Sequence, residues 1–373
     1  MPLIEYLVSF GVAILVSAAL LPAVIRGAHR WGAVDLPGGR RPHTGEIARL
    51  GGIGIYAGFV GGVGCALLLG GQAPSLGDPS AEFPWAGAGL GATIVFLAGL
   101  MDDFRQFSPR VKFAFQLLAA GIAVAFGVSI DSVSAPLGGT FALGAASPVV
   151  TILWILLVTN AMNLIDGLDG LAGGLALIST TCIACVSIAS GQFGVSVCAV
   201  GLAGALLGFL RFNFSPARIF MGDGGSQFLG FVLAIISIRA SSKGATAVAL
   251  AMPVLMLGVP LLDLTTTVVR RAFRGEGIAA LSPASFLRRI SKADREHLHH
   301  NLLELGWSPR RAVLTLYLLA AVLALTGWLT IARHSLTLVG LLLVLCLGSV
   351  AAIKFALVGT RAQESVDPQQ GEP

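Results

Sequence analysis

The sequence predicts an all-α polytopic membrane protein with about eleven transmembrane helices, an N-terminus outside and a C-terminus in the cytoplasm. Of its 373 residues, 55% are hydrophobic and 12% are charged, whereas soluble domains carry about 25% charged residues. The hydrophobic residues also fall in long runs, and a spanning helix needs about 20 of them. Finally, Lys and Arg are unevenly divided between the loops that join these runs.

Each predicted span begins and ends where an apolar run meets polar or charged residues. The first run is not followed by a small-residue cleavage site, which predicts a retained helix rather than a signal peptide. The third and fourth spans are short and polar at one end. In order, the spans are 3–25, 48–70, 86–101, 111–127, 147–164, 171–190, 194–211, 225–240, 245–268, 311–332 and 335–358. Residues 1–360 thus form a single membrane domain, and the polar tail 361–373 is predicted to be disordered.

The positive charges decide the predicted orientation. With the N-terminus outside, 21 of the 24 Lys and Arg residues fall on the cytoplasmic side, and the outer side holds only Arg239, Lys243 and Arg333. Lys and Arg are enriched in cytoplasmic loops of membrane proteins. Topology therefore accounts for the net charge of +5, and we predict no nucleic-acid partner.

Carboxylates gather at the predicted cytoplasmic ends of the spans. Asp102 and Asp103 end the third span, Asp166 and Asp169 follow the fifth, and Asp223 precedes the eighth. Carboxylates near lipid are retained mainly where they bind a metal, move protons or line a substrate path. Clustered carboxylates require a cation, a raised pKa or both, and Mg²⁺ is the usual cation at a phosphate site. The alternative is that each Asp only caps a helix end.

The segment around the fifth span places a polar side chain at every third position, at Asn160, Asn163, Asp166 and Asp169. Gly167 and Gly170 predict that the helix ends near Asp166, so that a loop presents these groups to a common point. Before the eighth span, residues 222–225 are rich in glycine. Glycine allows close backbone approach, and a helix N-terminus favours negative charge.

Basic and histidine side chains accompany the carboxylates. Lys112 and Arg110 open the fourth span and could pair with phosphate, or could simply anchor the helix on the positive side. The largest cytoplasmic loop, 269–310, contains His297, His299 and His300. No Cys accompanies them on this side, which favours contact with a phosphate or nucleotide over a zinc site.

With these motifs, the chain resembles the polyprenyl-phosphate N-acetylhexosamine-1-phosphate transferases over almost its whole length. The resemblance lies in residues 101–104, 160–174, 213–226 and 294–300. It implies a phosphotransferase that moves a sugar-1-phosphate from a UDP-N-acetylhexosamine to undecaprenyl phosphate and releases UMP. It also implies a multi-pass protein of the bacterial inner membrane with a cytoplasmic active site, formed by the loops 26–47, 102–110, 165–170, 212–224 and 269–310.

The resemblance implies roles for single residues. Asp223 is expected to be the main Mg²⁺ ligand and Asn163 a second one, with Mn²⁺ as an alternative ion. Asp102 and Asp103 are expected to face the acceptor phosphate, Asp103 as a base or a positioning group. A covalent phospho-Asp route is the alternative to direct transfer, and the sequence leaves both open. The other expected catalytic residues are Lys112, Asp166, His297, His299 and His300, and the expected nucleotide contacts are Gly167, Leu168, Asp169 and Asn213.

The histidine motif narrows the expected sugar. Residues 294–300 resemble the branch that makes the first lipid-linked GlcNAc for O-antigen, enterobacterial common antigen or teichoic acid. The branch that transfers phospho-MurNAc-pentapeptide typically has three consecutive histidines, whereas Leu298 interrupts them here. GlcNAc-1-phosphate transfer is therefore expected, although residues 275–293 form a longer basic loop than the family usually has. The alternatives are the MurNAc-pentapeptide reaction and a cation-coupled transporter, and a homodimer is compatible with the sequence.

Overall fold

The computed structural model describes residues 2–36, 45–70, 83–134, 140–242, 258–259, 302–303 and 305–333. Within these residues, nine long α-helices account for most of the chain. Seven helical segments among them are long and apolar enough to cross a membrane. The polytopic all-α class is therefore confirmed, while the total of eleven spans and the orientation stay predictions.

The helices match the predicted spans closely. Nine of the eleven predicted spans each overlap one helix, and the spans 245–268 and 335–358 lie almost entirely outside the described residues. The helices are α1 Leu3–Trp31, α2 Gly52–Leu69, α3 Trp85–Arg105, α4 Pro109–Ala125, α5 Ser147–Ile165, α6 Leu171–Ala189, α7 Phe193–Asn213, α8 Gly222–Ser242 and α9 Pro309–Arg333.

Two small antiparallel hairpins interrupt the helical pattern. Strands β1 Val34–Asp35 and β2 Ile47–Ala48 pair between α1 and α2. Strands β3 Ser132–Ser134 and β4 Thr140–Ala142 pair between α4 and α5. The hairpins were absent from the all-α prediction, because strands of two or three residues carry no readable alternation of apolar and polar side chains.

Helices α1, α2 and α7 pack closely through small residues. A Cβ atom added at Gly58 would lie 2.7 Å from the carbonyl oxygen of Ala13, and one at Gly208 would lie 2.8 Å from that of Ile14. Small residues let helix backbones approach in lipid, where van der Waals packing drives association. These helices form a closely packed group, and the start of α2 contacts Phe220 and Met221, directly before α8.

A second close approach brings α3 against the start of α8. A Cβ atom at Gly99 would lie 2.5 Å from the carbonyl oxygen of Asp223. Only glycine therefore allows the first turn of α8 to come so near to the last turns of α3. This contact places Asp102 and Asp103 beside the N-terminus of α8.

Candidate active site

Five of the predicted active-site residues meet where four helices end. They form the carboxylate cluster, which we define as Asp102 and Asp103 of α3, Lys112 of α4, Asn163 of α5 and Asp223 of α8. Helices α3 and α5 contribute their C-terminal turns, and α4 and α8 their N-terminal turns. The prediction that the carboxylates after the third and fifth spans and before the eighth share one end of the bundle agrees with this arrangement.

Lys112 links two of the carboxylates. Its Nζ lies 2.5 Å from Asp102 Oδ2 and 2.5 Å from Asp223 Oδ2. The other oxygen of Asp102 accepts a hydrogen bond from the backbone N–H of Phe107. Lys112 is thus an integral part of the cluster, whereas its neighbour Arg110 is exposed.

Asn163 completes the surroundings of Asp223. Its Nδ2 donates to Asp223 Oδ1 at 3.2 Å and to the hydroxyl of Ser226 at 2.8 Å. Among the described residues, the side-chain oxygen of Asn163, Oδ1, accepts no hydrogen bond. This oxygen and the Asp223 carboxylate are neighbouring hard donors of the kind that Mg²⁺ prefers.

Asp103 holds the N-terminus of α8. Its Oδ1 accepts the backbone N–H of Asp223 at 2.8 Å, and its Oδ2 accepts that of Gly224 at 3.1 Å. The side chain is only 1% exposed. A carboxylate at this position satisfies the unpaired N–H groups of the first helical turn and complements the helix dipole. Of the two roles expected for Asp103, base or positioning, the geometry supports positioning.

The backbone before Asp223 is held on its other side by β2 and the start of α2. Phe220 donates its N–H to the Ala48 carbonyl at 2.7 Å, and Gly52 donates to the Met221 carbonyl at 2.8 Å. Gly222 has a φ of +74°, and a Cβ atom there would collide with the Arg49 carbonyl. The turn that presents Asp223 is therefore fixed from both directions.

Two of the predicted nucleotide contacts, Asp169 and Asn213, lie in a second group, the loop clamp, which we define as Asp169, Gly170, Asn213, Ala217 and Ile219. Asn213 accepts the Gly170 N–H at 3.0 Å and donates to the Ile219 carbonyl at 2.8 Å. Asp169 accepts the Ala217 N–H at 3.0 Å. Asn213 is only 3% exposed. The clamp joins the α5–α6 loop to the α7–α8 segment, and its contact with a nucleotide stays a prediction.

The α5–α6 loop has the predicted shape. Helix α5 ends at Ile165 with Asp166 as its half-buried C-cap, and Gly170 is the N-cap of α6 with a φ of +78°. Leu168 is 5% exposed and belongs to the apolar core. The nucleotide contact expected for Leu168 stays a prediction.

A layer of amides beneath the cluster was not predicted. Asn160 donates to Gln116 Oε1 at 2.9 Å, and Gln116 donates to Gln227 Oε1 at 3.2 Å. Each amide lies about one helical turn from Lys112, Asn163 or Asp223 on the same helix face. The sequence signal for this layer is that each of three helices carries an amide side chain three or four residues from its cluster residue.

Helix α9 contacts both loops of the clamp region. The Tyr317 hydroxyl donates to the Gly170 carbonyl at 2.7 Å, and Arg310 Nη2 donates to the Ser215 carbonyl at 2.9 Å. Neither residue was singled out from the sequence, because the contacts join positions that are 147 and 95 residues apart. His297, His299 and His300, which were predicted to join this site, lie outside the described residues.

The cluster contains oxygen donors of the kind that a hard divalent cation takes. In the part of the chain that the structure describes, no group of three or more His, Cys, Asp or Glu side chains is arranged for a metal. The cluster instead offers the carboxylates of Asp102 and Asp223, which already share one cation, and the carbonyl oxygen of Asn163. A small set of oxygen ligands with room for water and phosphate is characteristic of Mg²⁺ sites.

Known proteins match the chain across this region. The family described as Glycosyl transferase family 4 matches residues 85–241, which contain the cluster and the clamp. A Bacillus subtilis protein named "Probable undecaprenyl-phosphate N-acetylglucosaminyl 1-phosphate transferase" is 36% identical over 326 residues, which are 87% of this chain and 85% of that protein.

Two further relatives are similar over most of their length. The decaprenyl-phosphate N-acetylglucosaminephosphotransferase of Mycobacterium tuberculosis is 38% identical over 80% of this chain and 75% of its own. The undecaprenyl-phosphate alpha-N-acetylglucosaminyl 1-phosphate transferase of Escherichia coli K12 is 28% identical over 82% of this chain and 79% of its own. The chain therefore belongs to the polyprenyl-phosphate N-acetylhexosamine-1-phosphate transferase family and is a glycosyl-1-phosphate transferase.

Proposed function

We propose that this enzyme transfers GlcNAc-1-phosphate from UDP-GlcNAc to undecaprenyl phosphate in a Mg²⁺-dependent reaction that releases UMP. The observation that carries the proposal is the contact of Lys112 with both Asp102 and Asp223, with Asn163 beside Asp223. These groups form a compact arrangement of cation, carboxylates and amide suited to phosphate chemistry. The names of the relatives, which specify N-acetylglucosamine and a polyprenyl phosphate, support the choice of substrates.

Asp223 and Asn163 would hold the Mg²⁺ ion, with Asp102 close by through the shared Lys112. When bound, this ion would stabilise the negative charge of the donor diphosphate and the charge that develops on the departing UMP. Asp103 contributes indirectly, because it fixes the backbone of Asp223 and Gly224.

Lys112 is the group that we assign to a phosphate oxygen. Its ammonium has more N–H donors than the contacts with Asp102 and Asp223 use, and the side chain is 30% exposed. Because two carboxylates hold it, Lys112 is oriented before a substrate arrives. Preorganised charge of this kind can provide a large part of the barrier reduction in phosphoryl transfer.

We propose a direct transfer without a covalent enzyme intermediate. An oxygen of the acceptor phosphate attacks the sugar-bound phosphorus of the donor, and the bond from that phosphorus to the bridging oxygen breaks. A phosphate monoester loses its second proton near about pH 6, so a strong base is not needed. The oxygens of Asp102 and Asp103 are engaged by Lys112 or backbone N–H groups, which disfavours either residue as the nucleophile. Chirally labelled donor should therefore give inversion at phosphorus, and retention would contradict direct transfer.

We place the site at the cytoplasmic face of a bacterial inner membrane, because the loops around it carry most of the positive charge. A soluble nucleotide sugar can reach a lipid acceptor there. Membership of a transferase family removes the transporter alternative. The names of the relatives favour GlcNAc over the MurNAc-pentapeptide.

The proposal can be tested with purified protein, undecaprenyl phosphate, Mg²⁺ and a panel of UDP-GlcNAc, UDP-GalNAc and UDP-MurNAc-pentapeptide. UMP release and lipid-linked product would be measured together. We expect one UMP per lipid product, the highest rate with UDP-GlcNAc and loss of activity with EDTA. If no donor yields UMP while a thermal unfolding transition shows that the protein is folded, the proposed function is wrong.

A further inference from the structure

We propose that Arg49 binds a phosphate oxygen of one of the two substrates, as a second cation beside Lys112. This inference rests on the proposed function. Arg49 was not among the residues predicted from the sequence, because a single positive charge at the cytoplasmic start of the predicted span 48–70 carries no further signal. The structure places it at the edge of the carboxylate cluster.

The backbone of Arg49 is fixed on both sides. Its N–H donates to the Ala33 carbonyl at 3.0 Å, and the preceding residue, Ala48, forms a bridge with Ile219. Gly51, two residues later, donates to the Phe220 carbonyl at 2.9 Å. The Arg49 carbonyl also lies against Gly222, directly before Asp223. The side chain therefore starts from a well-defined position next to the metal ligand that we propose.

The guanidinium group is close to Asp103 but does not form a hydrogen bond with it. Arg49 Nη2 lies 3.8 Å from Asp103 Oδ1, beyond the range of about 2.7–3.2 Å for such a bond. Asp103 already accepts two backbone N–H groups. Among the described residues, no group accepts a hydrogen bond from the Arg49 side chain, which is 31% exposed.

Arg49 and Lys112 thus differ in how their donors are used. Lys112 spends donors on Asp102 and Asp223, both at 2.5 Å, whereas the forked donors of Arg49 are free within the described part of the chain. A guanidinium presents parallel N–H groups that match two oxygens of a phosphate. Asp103 supplies a negative charge that holds Arg49 at the site without occupying those donors.

The phosphate could come from the donor diphosphate or from the lipid acceptor, and both present the same oxygens. To identify the source, we would compare wild type with Arg49→Lys, Arg49→Gln and a matched control, Arg211→Gln. Arg211 is basic and exposed, lies in the last turn of α7 over the Phe212 ring at 6.0 Å, and among the described residues forms no ion pair or hydrogen bond with the cluster. The measurements are the KM of each substrate, kcat, calorimetric binding of UDP-GlcNAc and of farnesyl phosphate, and the unfolding midpoint.

For Arg49→Gln we expect a rise of about 10- to 100-fold in the KM of one substrate, with matching weaker binding, because a charge-assisted hydrogen bond is lost. The KM of the other substrate and the unfolding midpoint should stay near wild type. Arg49→Lys should give an intermediate KM, because it keeps the charge but loses the fork. A change confined to UDP-GlcNAc identifies the donor, and a change confined to the lipid phosphate identifies the acceptor.

Other results would overturn the assignment. A fall in kcat with both KM values and both affinities unchanged would show that Arg49 only positions Asp103. Equal effects in Arg211→Gln would show a general charge effect. If wild type is active and neither Arg49 variant changes a KM or a binding affinity, only this inference fails. If wild type binds neither substrate and releases no UMP, the proposed function fails and the inference with it.

Discussion

The carboxylate cluster and the loop clamp lie at the same end of the helix bundle, but they use polar side chains differently. In the cluster, charged side chains meet one another, and Lys112 is 30% exposed. In the clamp, Asp169 and Asn213 meet backbone N–H and carbonyl groups, and Asn213 is 3% exposed. Under the proposed function, the cluster carries charge for the reaction, whereas the clamp holds the α5–α6 loop against the α7–α8 segment.

Asp103 shows that the cluster and the clamp differ in what their side chains contact and not in residue type. It belongs to the cluster by position, yet its two oxygens hold backbone N–H groups of α8. Variants of the other cluster residues should therefore affect rate more than stability. Variants of the clamp should affect stability more than rate.

The largest effect is expected for Asp223→Asn. The change removes one negative charge at the centre of the cluster, and we expect the rate of UMP release to fall about 10³-fold. The unfolding midpoint should change little, because the backbone contact with Asp103 is kept. Asp131→Asn is the matched control, since Asp131 accepts hydroxyl groups of Ser129 and Ser147 away from the cluster. A wild-type rate for Asp223→Asn would contradict its assigned role.

Lys112→Met should have the next largest effect. Asp102 and Asp223 would lose their shared cation, and an ion-paired hydrogen bond to substrate would be lost, so we expect a fall of about 100-fold in kcat/KM. Arg110→Met, on the same helix but exposed, should behave like wild type. Steady-state kinetics at fixed Mg²⁺ would measure both. Equal rates for the two variants would show that Lys112 only anchors α4.

Asn213→Ala should separate the clamp from the cluster. It leaves the Gly170 N–H and the Ile219 carbonyl without their partner, which should lower the free energy of unfolding by about 2 kcal/mol. We expect only about a tenfold loss of activity, mainly as a higher KM for UDP-GlcNAc. Gln192→Ala removes another buried amide, which donates to the Ala240 carbonyl far along the bundle. It should destabilise the protein without changing KM, and a matching KM change there would refute a specific role for the clamp.

Tyr317→Phe should have the smallest effect. The variant loses one hydrogen bond to the Gly170 carbonyl and keeps the ring against Gly174, so we expect a loss of about 1 kcal/mol in unfolding free energy. The KM for UDP-GlcNAc should rise a few-fold at most, because the lost hydrogen bond contributes only about 1 kcal/mol. Tyr56→Phe, which removes a hydroxyl contact with Thr93, is the control. A larger KM change in the control would mean that Tyr317 does not hold the loop.

The sequence was sufficient for the features that follow from local pattern. Apolar runs predicted the helices, and Gly167 with Gly170 predicted the end of α5. Loop charges placed the carboxylates on one side, and the structure brings Asp102, Asp103 and Asp223 together. These properties depend on neighbouring residues or on the whole pattern of charge, so a single chain reveals them.

Features that depend on helix packing could not be predicted. Gln116 and Gln227 meet although they are 111 positions apart, and the meeting depends on the packing of both α4 and α8 against α3 and α5. The distinction between Asp102 and Asp103 has the same origin. The residues are neighbours in sequence, but successive helical residues point in different directions, so one meets Lys112 and the other meets the α8 backbone.

The central claim is that a divalent cation binds at the carboxylate cluster and not at the loop clamp. Equilibrium binding of Mn²⁺, followed by the loss of the free-ion EPR signal, tests this claim most directly in wild type, Asp223→Asn and Asn213→Ala. We predict that wild type and Asn213→Ala bind one Mn²⁺ with similar affinity and that Asp223→Asn binds at least about tenfold more weakly. Unchanged affinity in Asp223→Asn, with loss of binding in Asn213→Ala, would contradict the claim.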